Sequence, residues 1–528
     1  MLMKITYQGL TISIPFDGVI QVEDFSFDAA FNCHGRVFLR LLAEEEKIQG
    51  SIHALQDGAN VEVYENSQLF AGRILRAEME TVRGLYYLKL EACSYTMDWQ
   101  RVPVSRSFLN LDATYEQVMQ KVLEDQERAQ IKDCLTNGRV IPDFLLQYEE
   151  SDWDFLIRLA SQFQSFLVPD CSADHGRAYF GIPPYEDDFN FSEEEYETIK
   201  DVETYHKVNT DGELLPQEII KWNVKTGHSF HLAQRGTFRG LRCMVTAIRY
   251  RVIAGELCRY YELSREQGVR CTRMKNGHIN GMSIPATVKE RSGNCVRVHF
   301  HIDPVYEAAP NQRYFTFAIE SSFIYCMPEV GSQVHIYFPT DEEKDAVAVH
   351  AIRTSAPGKG GTGGGYAQNP DYKSFSNVTG AHLLLAPKAA RISAEEAAVT
   401  SVCLDGEGNA YIQGKEIQLQ AEKGLSMGES ASEEGGPAKS ISVISKSISA
   451  KSGDSGMELS EETKILAAFV KLEAAEGPMP EGMASSSELI GQITANDAAD
   501  RASVNNGVSS QLVEKYQAVS YTHLTLPT

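Results

Sequence analysis

Alternation of apolar and polar residues runs through most of the chain. Residues 10–14, 59–64 and 86–92 each repeat with period two, the spacing that places every second side chain on one face of a strand. Turn dipeptides separate these runs: Asp17-Gly18, Asp57-Gly58 and Arg83-Gly84. They predict a β-barrel or meander over 1–110. Strand signals return at 219–222, 241–254 and 256–263 and predict a second barrel over 201–280. The intervening 111–200 reads as a helical and mixed insertion, with helices over 113–132 and 151–166. In the second helix Ser151 is a good N-cap, and Asp154 at N3 is expected to return a bond as a short capping box. Trp153, Leu156, Ile157, Ala160 and Phe163 form an apolar stripe at helical spacing. Strand 178–183 then ends at Pro183.

A third β module spans 281–353. Its strands are 284–288, 294–303, the run 323–339 and 346–353. In the third of these, Val334, Ile336 and Phe338 share one face, and Gln333, His335 and Tyr337 the other, after a turn at Pro328-Glu-Val-Gly331. Four or five short strands in so small a module fit a closed five-stranded barrel of the oligonucleotide/oligosaccharide-binding (OB) type. Residues 354–375 open with a Gly-rich linker. Its Gly-Lys lacks the preceding strand and the Lys-Ser/Thr of a phosphate loop, so nucleotide binding is rejected. From 376 to 472 short alternating pieces recur between Gly, Ser and acidic spacers. One copy of such a piece buries too little to stand alone, which favours a β-prism or β-helix needle of intertwined chains; the competing reading is an acidic Ser/Gly/Ala tail after Gly424. Residues 485–518 look like a polar helix within the tail 473–528. The last ten fit no neighbouring element and resemble translated sequencing adapter, in which case the natural chain continues.

Length and charge narrow the function. The 528 residues imply several domains, and 43% hydrophobic content suffices for ordinary cores. A formal charge of −23 argues against general binding of a phosphate backbone, so no nucleic-acid partner is expected. The ten cysteines are scattered without a Cys-x-x-Cys pair and read as reduced thiols of a protein made in the cytoplasm. The N-terminus is not a signal peptide, and no apolar run approaches the ~20 residues that span a bilayer. Export is therefore expected to use other machinery.

Several stretches resemble one family. Leu146-Gln-Tyr-Glu-Glu-Ser-Asp-Trp-Asp-Phe-Leu-Ile-Arg-Leu-Ala160 is similar to the signature of contractile injection spike proteins, the valine–glycine repeat (VgrG) family, related to phage late control D and tail spike proteins. The matching positions are Gln147, Tyr148, Glu150, Ser151, Asp152, Phe155, Leu156, Arg158 and Leu159. The OB-like run adds Met327, Pro328, Glu329, Gly331, Phe338 and Pro339. Leu69-Phe-Ala-Gly72, Ser94-Tyr-Thr96 and Arg106-Ser-Phe108 resemble strands of the family's first hub barrel, and Asn369–Phe375 resembles the needle start of Gram-positive members. Many members follow the helix with Glu and Gly, where this chain has Ser161-Gln-Phe-Gln164.

The resemblance implies a mainly β protein with inserted helices: two hub β-barrels, an OB neck and a repetitive C-terminal needle. It implies a homotrimeric spike and hub of a phage-tail-like, type VI or related particle. Its partners would be the tail tube and baseplate, a tip or effector protein, and a target-cell envelope on firing. Two alternatives stand beside it: a carrier of an enzymatic domain beyond Thr528, and an OB-type nucleic-acid binder, which the acidic loop 341–345 disfavours. No catalytic or cofactor signature is found: neither His-Glu-x-x-His nor Gly-x-Ser-x-Gly occurs. Asp152, Asp154 and Glu150 suit the positive end of a helix better than catalysis. His299, His301 and Asp303 are expected to alternate on one strand and share a face, a weak metal candidate; His228 and His231 are weaker still.

Overall fold

Strand β3 (Val19–Ala30) is the member on which the largest sheet turns. On one side it pairs with β4 (Arg36–Ala43). On the other it pairs with a strand about two hundred residues later, β17 (Leu241–Ile253), from Ser26 opposite Arg251 to Ala30 opposite Ala247. The computed structural model describes residues 3–351 except 54, 56–57, 186–187, 193–194, 210–211, 213 and 319–325. It also describes 371–376, 381–394, 400–423, 448–452, 455–459 and 464–466. The chain divides into a unit of Met1–Ile352 and a unit of Arg353–Thr528. The readings of 473–528, including the polar helix and the last ten residues, lie outside the described residues, as does most of the Gly-rich linker.

In the first unit, β1 (Met3–Tyr7), β2 (Leu10–Ile14), β5 (Asn60–Tyr64), β6 (Gln68–Val82) and β7 (Leu85–Ser94) continue the sheet from β4; α1 (Glu45–His53) lies between β4 and β5. Beyond β17 the sheet runs through β18 (Glu256–Arg265) and β15 (Ile220–Thr226) to β14 (Tyr196–Lys200). A branch adds β16 (Arg235–Phe238) and β13 (Phe189–Phe191), giving thirteen strands. The two expected barrels are therefore halves of one continuous sheet. Alternation explains why they share a core: Phe25, Phe27 and Ala29 of β3 point inward beside Ile248 and Tyr250 of β17, with Phe27 and Tyr250 edge to face at 5.8 Å. On the outer face Arg251 grips Asp28 with two bonds of 2.7 and 2.9 Å. The Leu69–Gly72 motif has a steric reason. A Cβ on Gly72 would come within 2.1 Å of the Cys93 carbonyl, so β6 and β7 approach this closely only with glycine there.

The insertion holds β8 (Val104–Phe108), α2 (Tyr115–Val122), β9 (Gln130–Asp133), β10 (Leu145–Glu150), α3 (Asp152–Ser161), β11 (Leu167–Pro169) and β12 (Arg177–Phe180). The helix expected over 113–132 is only α2. Thr114 and Gln117 form a capping box at its start, but Arg128 takes a left-handed φ of 53°, and residues 130–133 pair with β12 instead. The helix expected over 151–166 ends at Ser161. Ser151 caps it by accepting from the Asp154 amide; Asp154 does not return the second bond of a box, its carboxylate instead accepting from the Ser151 hydroxyl. The apolar stripe is also too narrow a description: every residue of α3 except Asp154 is buried. The exit from α3 is made by Gln164, at φ 54°, with the Ser165 amide donating back to the Ala160 carbonyl at 3.1 Å.

The last module of this unit has β19 (Ser283–Ser292), β20 (Cys295–Phe300), β21 (Phe315–Thr316), β22 (Gln333–Tyr337) and β23 (Val347–Ala351), in the order β21-β20-β19-β22-β23. Its end strands meet again: Phe317 bridges Ala348, and the Ala318 amide donates to the Ala348 carbonyl at 2.7 Å. The sheet thus curls around Val288, Val296, Val298, Phe300, Phe315, Val334 and Ile336. Val334, Ile336 and Phe338 all face this core, as their alternation predicts.

The second unit contains β24 (Lys373–Ser376), β25 (His382–Ala386), β26 (Ala389–Ser393), β27 (Ser401–Asp405) and β28 (Ala410–Gln413), an antiparallel meander in sequence order. A three-stranded meander follows: β29 (Ile448–Ser452), β30 (Ser455–Leu459) and β31 (Lys464–Leu466). Pairing between sequence neighbours differs from the parallel coil of a β-helix within one chain.

Candidate functional site

Three of the signature residues, Tyr148, Glu150 and Arg158, meet at the seam between the inserted helix α3 and the curled module β19–β23. Arg158 is its centre, 4% exposed. It is buried because α3 is packed on all sides, so its charge needs partners. Its Nη2 donates to Glu150 at 2.6 Å and to the Leu146 carbonyl at 2.7 Å; its Nη1 donates to Glu343 at 2.6 Å. Burial pushes the Glu150 carboxyl above its usual range, against the pull of Arg158. Glu150 belongs to β10 and Glu343 to the short 3-10 turn Glu343–Asp345, so one guanidinium ties helix, strand and curled module together.

A second buried network lies at the start of α3. Asp152 is 2% exposed and accepts from Arg106 at 2.9 Å, Gln147 at 2.9 Å and Gln126 at 2.8 Å. Tyr148 packs against the core of the curled module, and its carbonyl accepts from Asn276 at 2.8 Å. Ser151 caps α3, while Phe155, Leu156 and Leu159 fill the core of the insertion. In the later motif Met327 packs on the module's core and Pro328 is buried. Glu329 pairs with Arg291 at 2.8 Å, and Gly331 takes a φ of 90° that favours glycine. Phe338 is buried and Pro339 is exposed.

The metal candidate is not assembled as expected. β20 ends at Phe300, so His301 and Asp303 lie in the following turn and do not share a strand face with His299. His301 meets Thr287 at 2.9 Å, and His299 Nε2 meets the Asp303 backbone carbonyl at 3.1 Å. The Asp303 carboxylate is instead turned to Ser107, accepting from its amide at 2.8 Å and from its hydroxyl. Burial raises the Asp303 pKa, opposed by those two bonds. His231 stacks on Tyr185 and His228 lies beside Phe191 and Phe230, so that pair does not converge either. Among the described residues no group of three or more His, Cys, Asp or Glu is placed to hold a metal ion. All ten cysteines are free, five of them buried.

The contacts of three of these partners escape a reading of the sequence. Glu343 stands in an acidic loop, and the likeness of Arg106 and Ser107 to a hub-barrel strand says nothing of Asp152 or Asp303. Only the long-range packing brings them to the seam. No helix among the described residues is long and apolar enough to cross a membrane.

Neither a family model nor a curated protein matches the sequence. Among solved structures, the chain is similar to a component of the Escherichia coli type VI secretion system that itself resembles the T4 bacteriophage tail proteins gp27 and gp5. Identity is 12%, over 64% of this chain and 98% of that one, with a TM-score of 0.48. It is similar to VgrG in the Francisella PdpA–VgrG complex at 9% identity, over 78% and 87% of the two chains, with a TM-score of 0.46. A Shewanella oneidensis prophage tail protein matches at 10% identity over 51% and 99%, with a TM-score of 0.40. All three are type VI secretion or phage-tail proteins.

Proposed function

We propose that this protein is a structural spike and hub subunit of a contractile injection apparatus, acting as a homotrimer. The observation that carries this reading is a row of apolar side chains on one face of the second unit's meander. Strand register aligns Phe375, Leu383, Ile392, Val402 and Ile412 across all five strands, with Leu385 and Leu404 in the next row. In a single chain Phe375 is 59% exposed, Ile392 60% and Ile412 57%. The meander's own apolar core is little more than Leu384 and Cys403 with Tyr372 and Ala389, beside the buried polar His382, Arg391, Ser393 and Ser401. A sheet with so small a core and so continuous an apolar face needs cover, and copies of the same chain supply it symmetrically.

In this reading the three meanders form a needle of the β-prism kind and the curled module β19–β23 is an OB-type neck. The long sheet serves as the hub that meets the tail tube and baseplate. The role is mechanical and not enzymatic. The buried Arg158 seam supports it, because force entering the neck would reach the hub through an interlocked junction. Made in the cytoplasm, the protein would be assembled into a particle and delivered through a target envelope, alone or with an effector. Light scattering on the purified chain tests this: a mass near three times 58.6 kDa is expected. The pair Ile392→Asp and Leu404→Asp should reduce it to one. A monomeric parent at micromolar concentration would refute the trimer.

A further inference from the structure

A polar cleft in the first unit is not used by the mechanical reading. It has a volume of about 180 Å³ and lies between the start of β5, strand β6, the 3-10 turn Tyr95–Gln100 and the loops after α2 and β11. On one wall Arg73 pairs with Asp98 at 3.0 Å; on another Arg128 pairs with Asp174 at 3.0 Å. His175 bonds Asp174 through Nδ1 at 2.7 Å, and Tyr95 completes the wall with the Arg73 guanidinium 5.3 Å from its ring centre. With Glu127, the lining carries two guanidinium groups against three carboxylates.

These features select among ligands. Each guanidinium is already paired with a carboxylate, Asp98 being shared with Arg101 at 2.9 Å, so an anion would have to displace an aspartate and a cation would meet two arginines. An Arg–Asp pair instead offers a donor and an acceptor side by side, which suits two neighbouring hydroxyls: one accepts from the guanidinium while the other donates to the carboxylate. The volume is that of about six waters at roughly 30 Å³ each, room for one sugar ring. The half-buried Tyr95 ring adds an amphipathic surface of the kind that takes the C–H face of a sugar.

We propose that this cleft binds one neutral sugar residue of a glycan, held between the Arg73–Asp98 and Arg128–Asp174 pairs. The cleft has a built-in reporter. Gly176 lines it, and a Cβ there would lie 2.6 Å from Nε1 of Trp99, so the indole backs directly onto the floor. The test is titration of the full chain with free glucose, galactose, mannose and N-acetylglucosamine, followed by indole fluorescence and by saturation-transfer NMR of the sugar. At least one sugar should give a saturable response with half-saturation in the millimolar range. Arg128→Ala and Asp174→Asn alter an exposed pair, so the fold should persist, and each should weaken that response about tenfold or more. Absence of saturation for all four sugars would overturn the proposal, as would a response unchanged in both variants. Equal competition by glutamate or argininamide would also overturn it, by marking the cleft as an ion site.

Discussion

Replacing Arg158 with methionine should be among the most damaging single changes in the first unit. The substitution keeps much of the side-chain volume but removes a charge that is 4% exposed. Two carboxylates, Glu150 and Glu343, with side chains 10% and 11% exposed, would lose their counter-ion, and the Leu146 carbonyl would lose a donor. Breaking a buried ion pair from one side costs about 3–5 kcal/mol, because the remaining charge is stranded away from water. The loss should depend on pH with a definite sign. Glu150 already has a carboxyl pKa raised by burial, and without Arg158 nothing opposes that rise. A raised carboxyl pKa favours folding below the unfolded value and loses that contribution as pH climbs through the folded value. Arg158→Met should therefore be less destabilising at pH 5 than at pH 7.5. Urea unfolding at both pH values measures this. The triple change that also makes Glu150 and Glu343 leucine should recover most of the loss, since apolar residues of similar size often replace a buried ionic cluster without penalty. A cost below about 1 kcal/mol, or one identical at both pH values, would refute the account of a desolvated, charge-dependent seam.

Other expectations follow from single features. His34 is buried between Thr96, Gln100 and Trp153, and burial lowers its pKa from 6.5 to about 4. The unfolded chain takes up that proton first, so stability should fall as pH drops from about 6.5 towards 4, by up to roughly 3 kcal/mol. Thermal melting should show this slope, and His34→Gln should flatten it. Gln164→Gly should raise the melting temperature by the equivalent of roughly 0.5–1 kcal/mol, because glycine adopts the left-handed exit of α3 without the Cβ penalty; a lowered melting temperature would count against that reason. Asp303→Ala should cost about 1–3 kcal/mol by orphaning the Ser107 amide and hydroxyl, with Ser107→Ala costing less. Equal, negligible effects in a denaturant titration would show that this contact carries no stability.

What could be read from the sequence was local. Alternation located β15, β17, β18 and β22 to within a few residues and assigned Val334, Ile336 and Phe338 to the core, because period two needs no knowledge of the partner strand. The charged run Glu124–Arg128 has helical composition, but a tertiary pairing with β12 claims the following residues and ends α2 early. The His299, His301 and Asp303 pattern failed for a similar reason: the strand stops at Phe300, and Asp303 has a better acceptor role beside Ser107, almost two hundred residues earlier. Glu343 was illegible for the same physical cause. Nothing in an acidic loop reveals that one of its carboxylates faces a buried arginine on α3.

The pairing of β3 with β17 also sets the order of events during synthesis. The first seven strands leave the ribosome with one flank of β3 bare, and its complement follows about two hundred residues later. At 5–20 residues per second that flank waits roughly 10–40 s. Closure is then dominated by distant contacts, which makes maturation slow and leaves the nascent chain open to mispairing with a neighbour on the same message. Cells that make this protein well are expected to shield that interval with a holding chaperone.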